Sequence, residues 1–167
     1  MSRMNHLLIR TCVDARGGYA DFLAAGHSLE DTRPLGMSRL TRRLLASVDL
    51  ESVKQRRRSN FKRLSEALDR LNRKRWNLTA QAVPLCYPLV LDQDMAPIRK
   101  RLADCGIYVP TYWEDARARL GSTSVERALL DRCLALPCDQ RYTEQQMDKL
   151  VRTLIYELKS SANAWTA

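Results

Sequence analysis

Gln81-Ala82-Val83-Pro84-Leu85-Cys86-Tyr87-Pro88-Leu89-Val90-Leu91 is the stretch on which the fold turns. It is short, apolar and rich in β-formers, and it follows a long charged helical pattern, so it reads as a strand. Pro84 and Pro88 have no N–H to give to a ladder, which places that strand at a sheet edge or a bulge. Downstream, Asp94 caps a helix that tolerates Pro97 in its first turn, shows Ile98, Leu102 and Cys105 as a stripe, and stops at Gly106. Capping also accounts for the closeness of Asp92 and Asp94. Ile107-Tyr108-Val109 follows as an expected strand, and Ser124 starts a short helix over Val125, Ala128 and Leu129. Cys133-Leu134-Ala135-Leu136 reads as another strand, ended by Pro137. Thr143-Glu144-Gln145-Gln146 is a capping box opening a last helix, with Met147, Leu150, Val151, Leu154, Ile155 and Leu158 inward.

Upstream, Ser38 caps a helix carrying Leu40, Leu44, Leu45 and Val48 at helical spacing. Asp49 caps a longer helix from about Leu50 to Arg73, with Val53, Phe61, Leu64, Leu68 and Leu71 apolar and Ala67 beside them. The polar gap at 54–60 means that this helix is gripped over its second half. Gly17-Gly18, Gly26 and Pro34 punctuate residues 1–37, where Tyr19, Phe22 and Leu23 suggest a single apolar turn. The expected organisation is an irregular arm (1–37), a helical segment with a long connecting helix (38–75), an α+β domain (76–160) and a tail (161–167). The expected fold is α+β: a small antiparallel or mixed sheet of about three strands, covered by helices and preceded by a long helix.

Composition narrows the function classes. The 167 residues are 45% hydrophobic and 28% charged, ordinary globular usage that can bury a core. No apolar run approaches a membrane span, and Arg10 interrupts His6-Leu7-Leu8-Ile9 too soon for a signal peptide, so a cytoplasmic protein is expected. The five cysteines, Cys12, Cys86, Cys105, Cys133 and Cys138, form no C-x-x-C pair and read as small core residues in a reducing compartment. With His6 and His27 the only histidines, no metal site is expected. The net charge of +9 is densest over Lys54-Gln55-Arg56-Arg57-Arg58 and on to Arg75, which leaves a nucleic-acid face as an alternative to a solvated helix.

No phosphate-cradling glycine loop, nucleophile elbow or paired metal ligands are present in the sequence. The unusual concentration is aromatic: Tyr108, Tyr112 and Trp113, between Gly106 and the polar loop 114–123. Rings on a loop at a strand end can line a ligand site, and packing against the last helix is the alternative. Arg141 and Tyr142, which follow the last strand, are expected at the same end of the sheet. Tyr108, Tyr112, Trp113, Arg141 and Tyr142 are therefore the candidate substrate-binding residues, with no catalytic, cofactor-binding or metal-binding residue among them.

Several segments, in this order, resemble the C-terminal part of the DegT-type sugar aminotransferases, pyridoxal-phosphate-dependent enzymes of fold type I. They are Met37-Ser38-Arg39-Leu40-Thr41-Arg42-Arg43-Leu44-Leu45, Arg57-Arg58-Ser59-Asn60 and Tyr87-Pro88-Leu89. After them come Leu102-Ala103-Asp104-Cys105-Gly106-Ile107, Pro110-Thr111-Tyr112-Trp113 and Leu134-Ala135-Leu136-Pro137-Cys138-Asp139-Gln140-Arg141-Tyr142. The resemblance implies a small domain joined by its long helix to a large, cofactor-binding domain, and amino transfer from glutamate to a nucleotide-linked keto sugar. In that family pyridoxal phosphate is held by a lysine of the large domain. Lys54, Lys62, Lys74, Lys100, Lys149 and Lys159 lie on or at the ends of expected helices among polar neighbours, and none matches the Schiff-base motif. The loop after Gly106-Ile107 also lacks the histidine that the family often carries there.

The chain is thus expected to be a small domain that is not catalytic alone and has no cofactor of its own. Its expected partner is a second copy or a large-domain chain, with no membrane, and nucleic acid is the less favoured alternative. Leu40, Leu44, Leu45, Val48 and Phe61 would supply an apolar surface for self-association. The alternative is a non-catalytic interaction module for polysaccharide or secondary-metabolite assembly.

Overall fold

The computed structural model describes residues 9, 12, 18–27 and 36–163, and the chain divides into two units, 1–48 and 49–167. The remainder of the expected N-terminal arm and the end of the expected tail lie outside the described residues. In the first unit, α1 spans Tyr19–His27, and the Gly18 carbonyl accepts from the Phe22 N–H at 3.0 Å. The single turn expected around Tyr19, Phe22 and Leu23 is in fact nine residues long and runs through Gly26, which falls in the last turn, where a glycine disturbs few helical bonds. Helix α2, Arg39–Ala46, is capped as expected, with the Thr41 N–H donating to Ser38 Oγ at 3.0 Å. Leu40, Leu44, Leu45 and Val48 are exposed.

In the second unit Asp49 caps α3, Leu50–Leu68, accepting from the Ser52 N–H at 3.0 Å. The helix buries Asn60, Phe61, Leu64 and Leu68, so its second half is indeed the gripped half. Phe61 therefore belongs to the core, not to a surface left for self-association. The helix stops at Leu68, five residues before the expected end at Arg73, because Asn72 is drawn away to the sheet. Its side chain accepts from the Val90 N–H at 3.0 Å and donates to the Pro88 carbonyl at 2.8 Å and to the Tyr87 hydroxyl at 3.0 Å. Leu71, expected inward on a continued helix, is exposed as a result.

Strands β1 (Cys86–Val90) and β2 (Cys133–Pro137) pair antiparallel, with Tyr87 opposite Leu136 and Leu89 opposite Leu134. The two prolines at the Cys86–Pro137 and Pro88–Ala135 pairs fall where N–H groups point away from the ladder, which is why an antiparallel pair tolerates them. The fold is α+β, as the sequence indicated, but among the described residues the sheet has two strands. Ile107–Val109 joins neither, although Val109 is buried. The outer edge of β1 is already occupied by Asn72 and by the Trp76 indole, which donates to the Pro88 carbonyl at 2.6 Å. On the outer edge of β2, Arg99 donates to the Cys133 carbonyl at 3.1 Å.

Helix α4 is Ala96–Asp104, with Pro97 in its first turn and the Ala96 N–H bonded to Asp94. It ends at Gly106, whose φ of +77° suits glycine, with the Ile107 N–H reaching back to Leu102 at 2.8 Å. A 3₁₀ turn, Glu114–Arg119, and helix α5, Val125–Arg132 with Ser124 as its cap, lead into β2. Helix α6, Glu144–Asn163, opens with the expected box: Thr143 N–H to Gln146 Oε1 at 2.8 Å and Gln146 N–H to Thr143 Oγ1 at 3.3 Å.

The core lies on one face of the sheet. Tyr87, Leu89, Leu134 and Leu136 meet Leu64 and Leu68 from α3, Ile98 and Leu102 from α4, and Met147 and Leu154 from α6. No helix among the described residues is long and apolar enough to cross a membrane.

Candidate functional site

Successive strand residues point to opposite faces, so burying Tyr87, Leu89, Leu134 and Leu136 turns Cys86, Pro88, Val90, Cys133 and Ala135 the other way. That second face is also apolar, and it forms the floor of a groove of about 530 Å³. One wall is α5, through Leu129 and Leu130, together with Ala116 and Leu120 of the 3₁₀ segment. Pro110–Trp113, which runs into that 3₁₀ turn, forms a further part of the wall, and Trp76 and Leu85 complete the lining. Glu126 is its one carboxylate, and no lysine or arginine lines it.

Charge pairs hold the outer wall in place. Arg117 bonds Glu114 at 2.7 Å and also pairs with Asp131, and Arg127 reaches Asp131 at 3.2 Å and the Arg117 carbonyl at 3.2 Å. The bond from Arg117, with help from Arg127, keeps the Asp131 carboxyl below its ordinary range despite some burial. This network clasps the 3₁₀ turn onto α5. Three arginines of α3 are likewise committed to the protein itself. Arg57 donates to the Pro84 carbonyl at 2.8 Å and to Gln140 at 2.9 Å, and Arg58 holds the carbonyls of Thr79 and Ala82 at 2.9 and 2.6 Å. Arg63 grips Asp148 at 2.7 Å. Arg57 and Arg58 fix the irregular segment 79–84 that enters β1 and Arg63 ties α3 to Asp148, so these three are not a free phosphate-binding row.

The five candidate residues separate. Tyr112 and Trp113 stand together in the groove wall, with ring centroids 5.9 Å apart. Burial pushes the Tyr112 phenol up; the nearby Cys86, Cys138 and Asp139 add to this and Arg57 opposes it. Arg141 lies on Asp139, at 2.7 and 3.1 Å, and neither residue lines the groove. For Asp139 itself burial is the largest influence and acts upward, but the bonds and charge of Arg141 win and lower its pKa. Tyr142 packs against the core, and Tyr108 is exposed and outside the groove lining.

Trp113 is 79% exposed, which removes the alternative of a ring packed against the last helix. Its backbone is left-handed, φ 57° and ψ 35°, a conformation that L side chains other than Asn and Asp rarely adopt. Trp113→Gly is therefore expected to raise stability by about 1 kcal/mol. Trp113→Ala should stay folded, within about 1 kcal/mol of the parent. Urea unfolding checks both, and a loss of about 3 kcal/mol in the alanine variant would restore the packing role.

The floor and the α5 wall escaped the reading of single residues. The available signal was that Cys86-Tyr87-Pro88-Leu89-Val90 is apolar on both faces, a mark of a sheet covered on both sides. Val125, expected on the apolar side of α5, is exposed, and Leu130 lines the groove with Leu129.

The residues of the groove do not fit pyridoxal phosphate. An aldehyde needs an amine beside it, but Lys62, Lys74, Lys100, Lys149 and Lys159 are exposed on the outside and no lysine lines the site. Among the described residues no cluster of three His, Cys, Asp or Glu side chains could hold a metal ion. What the fold and groove define is a small α+β domain with an apolar recess on the sheet face opposite its core. No protein-family model matches the sequence, and comparison with curated proteins and with solved structures finds no similar chain.

Proposed function

We propose that the chain is a small-domain relative of the DegT-type aminotransferases that acts as a binding domain and performs no chemistry alone. The observation that carries this reading is the groove itself. It is formed by several separate segments yet presents no lysine, histidine or paired carboxylates to its interior. Its thiols are no substitute, because burial pushes Cys133 up to about 11 and raises Cys86, leaving both protonated at neutral pH. The order of elements, a long helix before the first strand and helices packed on one sheet face, agrees with the small domain that the motif order suggests. On this reading the protein works in the cytoplasm, in nucleotide-sugar, polysaccharide or secondary-metabolite assembly, beside a second copy or a large-domain chain that supplies the cofactor.

The internal engagement of Arg57, Arg58 and Arg63 favours this over nucleic-acid binding, since each would have to leave a protein acceptor to reach a phosphate. Titration with pyridoxal phosphate at neutral pH, followed by borohydride reduction, is expected to give only substoichiometric labelling spread over the surface lysines. A single stoichiometric adduct on one lysine would overturn the proposal.

A further inference from the structure

The shape and chemistry of the groove say what it accepts. Its floor, from Cys86 to Val90 on β1 and across to Cys133 and Ala135 on β2, measures roughly 13 Å along the strands and 5 Å between them. At about 530 Å³ the recess has the size of a small-molecule site.

A peptide adding as a strand finds groups already taken on both edges. On β1 the Val90 N–H and the Pro88 carbonyl are already bonded to Asn72, and Pro88 has no N–H. On β2 Arg99 occupies the Cys133 carbonyl, and Pro137 has no N–H. Main-chain recognition, the usual source of affinity for an extended peptide, is therefore reduced to the few groups of Cys86 and Ala135.

A charged ligand is disfavoured as well. Arg117, Glu114, Asp131 and Arg127 pair with one another, Arg141 pairs with Asp139, and Glu126, the one carboxylate of the lining, is exposed and leaves the recess surface almost wholly apolar, so an ion entering it would be desolvated with little compensation. The groove does offer ring surfaces. The Trp76 indole is held by its bond to the Pro88 carbonyl, and Tyr112 and Trp113 also line the groove. The left-handed backbone at Trp113 fits a position where strain is kept because the ring is needed at the rim.

We propose that this groove binds a flat, uncharged, mainly aromatic small molecule of about two or three rings, seated on the open face of the sheet against α5 and the Pro110–Trp113 wall. The proposal rests on the reading of the chain as a binding domain. It fails separately from that reading, which falls only to a trapped pyridoxal adduct.

The test uses the full chain and prodan, a neutral, flat naphthalene fluorophore of two fused rings. Binding is expected to be saturable, with one dye per chain and a blue-shifted emission. Leu129→Glu, which puts a charge in the α5 wall at a position already 39% exposed, should weaken it at least thirtyfold with an unchanged circular dichroism spectrum. Trp113→Ala should weaken it about tenfold and also stay folded. Saturating dye should slow maleimide labelling of Cys86 and Cys133 and leave the exposed Cys105 unaffected. Unsaturable binding, or affinity unchanged in both variants, would overturn the proposal. So would sedimentation showing a dimer that Leu129→Glu converts to a monomer, because the occupant would then be a second copy.

Discussion

Asn72→Ala is expected to lower the stability of the second unit by about 3–4 kcal/mol, far more than removal of a typical polar side chain. Asn72 is 9% exposed and stands where the chain leaves α3. Its amide donates to the Pro88 carbonyl and the Tyr87 hydroxyl, and its oxygen accepts from the Val90 N–H at 3.0 Å and the Lys74 N–H at 3.2 Å. Alanine would leave the Val90 N–H buried without its acceptor and open the outer edge of β1. The effect passes to function, because Pro88 and Val90 are groove floor and Trp76 docks on the same carbonyl. Tyr87→Phe is the comparison. It removes only the hydroxyl between Asn72 and Asp69, where the phenol donates at 2.7 Å, and should lose about 1–1.5 kcal/mol. Urea midpoints at constant m-value measure both. Equal losses in the two variants would show that the edge contacts of Asn72 contribute nothing beyond the tyrosine bond.

The same residue shows which parts of the fold a sequence discloses. Ser38, Asp49, Ser124 and Thr143 were readable as helix starts, and Gly106 as a stop, because each acts on backbone groups within a few residues of itself. The end of α3 was not readable, since Leu68 is followed by good helix formers and the chain turns only because Asn72 has partners 15 to 18 residues away. Ile107–Val109 has the composition of a strand, but pairing needs a free edge, and side chains from 72, 76 and 99 had taken both. Of the candidate site, Tyr112 and Trp113 were legible as rings on a loop. The floor and α5 wall were not, because a groove is a property of several segments meeting and no one of them carries a distinguishing residue type.

Above pH 9 the second unit should lose stability steeply, by roughly 5 kcal/mol at pH 11, which is on the scale of the whole folding free energy of a small domain. Three acids in and beside the sheet drive this. Burial pushes the Cys138 thiol up to about 12, with the neighbouring Cys86 adding and Arg57 opposing. Burial likewise takes Cys133 to about 11, from an ordinary value of 9.0. The Tyr87 phenol reaches about 12, chiefly through burial, with the Asn72 bond opposing and Asp69 adding. In each the folded chain holds its proton more tightly than the unfolded chain does. The stabilisation is therefore fully present below the unfolded pKa, about 9 for the thiols and 10 for the phenol, and is lost as pH rises toward the folded values. Urea midpoints should be level from pH 7 to about 8.5 and then fall, with far-UV dichroism lost near pH 11. Cys138→Ala leaves a smaller side chain at a fully buried position and should be less stable at pH 7 by about 1 kcal/mol. By pH 11 the order reverses, because the variant no longer carries the acid whose proton the fold must retain. A midpoint that stays level to pH 11, or a Cys138→Ala variant that remains the weaker protein throughout, would mean that these groups ionise in the folded chain without the desolvation that the sheet imposes on them.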